Sequence, residues 1–175
     1  MENDYYVKFE APKDKLIHII WNLLLCDKTS APSEEALVDN NIQHIICILP
    51  GPLSIPAFVH TRPYTLIEYG DTHEPTIDSA TLLKYSECGN KIDAMASAAV
   101  QPRGNVLLFC NSGYQRSIPF LCYYLTRFHA NEAPSIDRAL DMILPHIIDK
   151  HEYTVETKQK YLGAISELFG NLATW

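Results

Sequence analysis

Residues 105–117 read NVLLFCNSGYQRS. The run Asn105 to Phe109 is short and apolar, as in a buried strand. It ends at Cys110. A loop of Asn111, Ser112, Gly113, Tyr114 and Gln115 follows, and the pattern turns helical at Arg116 or Ser117. A loop curled at a helix N-terminus aims several backbone N–H groups at one point, and the helix dipole adds positive potential there. Such a nest binds a tetrahedral dianion. It also lowers the pKa of a thiol at its centre, giving the nucleophilic thiolate. Gly113 permits a backbone twist that a side chain would resist. Arg116 closes the ring, because its planar fork can hold two phosphate oxygens at once. Ser117 is placed to donate to the Cys110 sulfur and ease its departure from a thiophosphate. Asn111, Ser112, Gly113, Tyr114 and Gln115 are the expected anion-binding positions. Tyr114 either reaches the ligand or packs on a neighbouring loop.

The strands and helices around this segment predict a compact three-layer α/β domain, a short central sheet flanked by helices. His18–Lys28 reads as one or two strands. Ser33 is a helix cap before Glu34, and Ile42–Leu49 is a buried strand that Pro50, Gly51 and Pro52 stop. Residues 53–63 read as loop and Tyr64–Tyr69 as the next strand. Residues 76–101 are helical, with a break into two helices suggested at Gly89 and Asn90. Three further helices are predicted over 117–130, 135–148 and 154–169. Residues 1–15 read as a polar leader, mobile or dimer-forming, ahead of a domain spanning 16–175.

The bulk numbers limit the function classes. The chain has 175 residues, 47% of them hydrophobic and 20% charged, an ordinary globular composition. A net charge of −7 leaves no overall electrostatic footprint for nucleic acid. Five cysteines at wide spacings, Cys26, Cys47, Cys88, Cys110 and Cys122, argue against a disulfide framework or a structural zinc site. The sequence shows no signal peptide and no apolar run near the ~18 residues a membrane span needs. A reducing, cytoplasmic setting is expected, with no metal, cofactor, nucleic-acid or membrane partner.

The segment from Cys110 to Ser117 resembles the signature HCxxGxxRS of the dual-specificity phosphatases, in the protein tyrosine phosphatase superfamily. Ile20-Trp21-Asn22-Leu23-Leu24-Leu25 and Ile42-Gln43-His44-Ile45-Ile46 are similar to that family's opening strands. Tyr153-Thr154-Val155 and the helix after it look like the close of small viral members, notably poxviral ones. The resemblance covers about residues 16–170. It implies a cysteine-dependent phosphatase that removes phosphate from phosphotyrosine or phosphoserine/threonine in protein substrates, without a cofactor. It implies a general acid just after the strand that precedes the long helix. Asp71, 39 residues before Cys110, is favoured for that role. Asp78, 32 residues before it, is the alternative, with a helix cap as its plainer reading. His73 receives no role. Poxviral relatives dimerise through their N-termini, so a homodimer is among the expected partners, with host cytoplasm or virion as the setting if the chain is viral.

One position departs from the signature. Phe109 stands where the family carries a His that holds the loop by hydrogen bonds and helps to keep the thiol acidic. The departure predicts weaker thiolate formation and lower activity. It also supports an alternative, a pseudophosphatase that binds phosphorylated partners without turnover. RNA-directed relatives tend to carry Thr where Ser117 stands, and phosphoinositide enzymes carry Lys within the loop. This loop has none.

Overall fold

The computed structural model describes residues 16–27, 31–69, 77–97, 104–111 and 116–170. The leader 1–15 lies outside the described residues. Ile17–Ile20 (β1) and Leu23–Asp27 (β2) form an antiparallel hairpin. Its turn holds Trp21 at φ 38°, in the left-handed region. Ile42–Leu49 (β3), Tyr64–Glu68 (β4) and Asn105–Cys110 (β5) complete a five-stranded sheet of order β1-β2-β5-β3-β4. The pairings of β2 with β5, β5 with β3 and β3 with β4 are all parallel. A central parallel strand is covered on both faces, which is why Val106–Phe109 is apolar without alternation.

The sheet divides two apolar layers. On one face Leu23, Leu25, Ile46, Ile48, Val106, Leu108 and Cys110 pack under four helices: Ser79–Ala96 (α2), Ser117–Phe128 (α3), Ile136–Ile147 (α4) and Val155–Phe169 (α5). On the other face Leu24, Cys26, Ile45, Cys47, Leu107 and Phe109 pack under Leu37 of Glu34–Asp39 (α1) and Val59. This is the three-layer arrangement the sequence predicts. Phe120, Tyr124, Tyr161 and Phe169 are almost wholly buried in the thicker layer. Each contributes roughly 2–3 kcal/mol of transfer free energy.

Three local expectations are corrected. Helix α2 runs unbroken from Ser79 to Ala96. Gly89 is no hinge; it lets α2 approach Phe128, since a Cβ there would lie 2.4 Å from Cε2 of that ring. Residues 53–63 are more than loop, because Pro52–Ser54 and Ala57–Thr61 form 3-10 turns. Cys110 belongs to β5 itself and does not stand after it.

Strands β2, β5, β3 and β4 end along one edge. The connection from β2 to β3 passes through α1 on one face, and that from β4 to β5 passes through α2 on the other. Sheets wound this way bind ligands at the carboxyl edge where the winding diverges. Cys110 ends the central strand at that edge.

Candidate active site

Cys110 is held between two neighbouring strands, in register with Asp27 of β2 and Ile48 of β3. It is 1% exposed and faces the layer of α2–α5. Asn111 follows it, and α3 starts six residues beyond Asn111, at Ser117, with Arg116 at its N-cap. Of the predicted anion-binding positions, Ser112, Gly113, Tyr114 and Gln115 lie outside the described residues.

The start of α3 differs from the other helix starts. Ser33 caps α1 through Ala36 N (3.1 Å) and Asp78 caps α2 through Thr81 N (2.8 Å). Ser135 caps α4 through Arg138 N (3.2 Å) and Thr154 caps α5 through Thr157 N (3.1 Å). Arg116 provides no side-chain cap, and the first turn of α3 carries no acidic residue. The orphan amides of a first turn attract an anion. Here Arg116 stands at their head.

Arg116 is oriented by a residue the sequence reading missed. Its guanidinium carbon lies 3.8 Å from the centre of the Tyr69 ring, a cation–π contact. The Asn111 side chain hydrogen-bonds the Tyr69 side chain. Burial raises the Tyr69 phenol above its ordinary value; Arg116 opposes that, Cys110 adds to it, and the Asn111 bond opposes it. One tyrosine thus senses Cys110, Asn111 and Arg116 together. From sequence, Tyr69 was the last residue of a strand, and only its place at the carboxyl edge could have marked it. Next to it lies a small cleft lined by Ile48, Ile67, Glu68, Tyr69, Ile77, Thr81, Tyr85, Arg116 and Pro119. Its walls are mostly apolar, with one cation at the edge.

Of the two acid candidates, Asp71 lies outside the described residues, as does His73. Asp78 is described and has a structural role. Its Oδ1 accepts from Thr81 N and Thr81 Oγ1, both at 2.8 Å. These bonds hold its carboxyl below the usual carboxylate range. A general acid must carry a proton, and this carboxyl is poised to lose one.

Ser117 is fully buried, and its hydroxyl has no hydrogen-bond partner among the described residues. The donation to the Cys110 sulfur is therefore not made in this conformation. Phe109 is buried on the opposite face of the sheet from Cys110. The remaining cysteines are packing residues. Burial pushes the Cys47 and Cys88 thiols up to about 12, and that of Cys122 higher still. The cysteines form no disulfide. Among the described residues no group of His, Cys, Asp or Glu is arranged to hold a metal ion, and no helix is long and apolar enough to cross a membrane.

This architecture is that of the dual-specificity phosphatases. The chain is similar to human DUSP28 (TM-score 0.62, 16% identity, 95% of this chain and 99% of that one). It is similar to a mouse putative dual specificity phosphatase complexed with zinc tungstate (TM-score 0.57, 18% identity, 95% and 96%). It is also similar to the human tyrosine phosphatase-like serine/threonine/tyrosine-interacting protein (TM-score 0.56, 21% identity, 85% and 95%). At these identities the likeness is one of fold. Neither a protein-family model nor a curated protein sequence matches the chain.

Proposed function

We propose that the chain is a cysteine-dependent protein phosphatase acting on phosphotyrosine, phosphoserine/threonine or both, with residues 16–175 as its catalytic domain. The observation that carries this reading is Arg116, held over Tyr69 at the uncapped start of α3, the helix that follows Cys110. In the proposed reaction the Cys110 thiolate attacks phosphorus and the bond to the leaving oxygen breaks. Asp71 gives that oxygen its proton. The loop amides of residues 111–115 and the Arg116 fork hold the remaining phosphate oxygens as charge develops. Water then attacks phosphorus, the P–S bond breaks, and inorganic phosphate leaves. Ser117 serves the departing sulfur if its hydroxyl turns toward it. No metal takes part. Tungstate, bound by the mouse fold neighbour, is a tetrahedral dianion of the kind such a cradle would take.

The substrate would be a phosphorylated protein, and the setting a reducing cytoplasm. A second reading, a pseudophosphatase that binds phosphorylated partners without turnover, is favoured by Phe109 in place of the signature His. One fold neighbour is itself named as phosphatase-like and interacting. Hydrolysis of a small aryl phosphate, measured for the wild type and for Cys110→Ser, separates the two. The phosphatase reading expects turnover that the variant abolishes. No turnover by the wild type, with retained binding of a phosphopeptide, supports the pseudophosphatase.

A further inference from the structure

We propose that Tyr69 is the positioning residue of this site, holding Arg116 ready for an oxyanion. The inference rests on reading that loop as a phosphate cradle. Tyr69 is itself fixed by the sheet. It stands one residue past β4, and its N–H still donates to Leu49 O at 3.2 Å. Its ring lies under Arg116, whose guanidinium carbon is 3.8 Å from the ring centre. This geometry matters because a guanidinium carries its N–H donors in its plane. A carboxylate partner would occupy those donors, and among the described residues Arg116 has none. An aromatic face restrains the cation and leaves the fork available for two oxygens of an anion. The same ring walls the cleft with Ile67, Ile77, Tyr85 and Pro119.

The test uses the full chain, with tungstate as the probe in calorimetry and an aryl phosphate in steady-state kinetics. Tyr69→Phe keeps the ring and is expected to bind tungstate within about twofold of wild type, whereas Tyr69→Leu weakens binding about tenfold. The KM for the aryl phosphate rises in parallel. In an Arg116→Ala background, Tyr69→Leu brings no further loss, which a merely structural role would not produce. Should Tyr69→Leu fail to give the wild-type melting profile, Tyr69→Met carries the same expectations. Wild-type tungstate affinity in the Leu or Met variant, or an equal loss in both backgrounds, overturns the role of Tyr69 while leaving the phosphate cradle standing. A wild-type protein that neither binds tungstate nor hydrolyses the ester overturns the cradle and this inference with it.

Discussion

The Phe109 ring packs 5.2 Å, centre to centre, from the Phe58 ring, on the sheet face opposite Cys110. Phe109 is thus a core residue beneath the Ala57–Thr61 turn, at the position where the resemblance to the signature implies a His. Phe109→His would place a polar ring in an apolar layer, costing about 2 kcal/mol of stability. The variant should show a lower melting temperature together with Cys110 alkylation that begins at lower pH than in the wild type. An alkylation profile unchanged by Phe109→His would show that Phe109 does not hinder thiolate formation.

Asp78 and Asp71 should separate cleanly. Asp78→Ala removes the α2 cap, so the melting temperature falls while the kcat of the aryl phosphate assay holds. Asp71→Asn should leave the melting curve in place and lower kcat about 100-fold with substrates of poor leaving group, as loss of a general acid does. A large kcat loss in Asp78→Ala with none in Asp71→Asn would exchange the two assignments.

Glycine is the weakest helix former after proline, so the sequence suggests a helix break at Gly89. The structure reverses that reading. The glycine is needed for the contact between α2 and α3, where Phe128 leaves no room for a methyl group. Gly89→Ala should therefore destabilise by about 1–2 kcal/mol, although alanine favours helix. Chemical denaturation would measure it. The loss should shrink in a Phe128→Leu background, and a stabilising Gly89→Ala would show that the ring moves aside freely.

Much of the frame was legible. Strand β3 spans Ile42–Leu49 as read, because a strand covered on both faces needs an unbroken apolar run. The Ser33 cap was legible because capping is local. What escaped was long-range. Nothing near Gly89 in the chain announces Phe128, and nothing near Tyr69 announces Arg116. The plainer reading of Asp78, a cap, needed only its neighbours and matches the structure.

His44 makes stability depend on pH. Its Nε2 lies 2.9 Å from Thr65 Oγ1, and among the described residues its buried Nδ1 has no partner. Burial lowers its pKa below the ordinary 6.5, with the Lys91 charge adding to the effect. A depressed folded value means that the unfolded chain binds the proton first as pH falls. The contribution of His44 is therefore fully present above about 6.5 and is lost as pH falls toward the folded value. The urea midpoint should drop between pH 7 and 5 in the wild type, and His44→Gln should flatten that drop. Equal slopes in both proteins would contradict it.

The central claim is that Cys110 is the nucleophile, and rapid-quench peptide mapping tests it most directly. The wild type is mixed with an aryl phosphate, quenched in acid within the first turnovers, digested and examined by mass spectrometry. A phosphate adduct is expected on the peptide bearing Cys110 and on none bearing Cys26, Cys47, Cys88 or Cys122. Hydrolysis that proceeds without that adduct, or that survives Cys110→Ser at the wild-type rate, would contradict it.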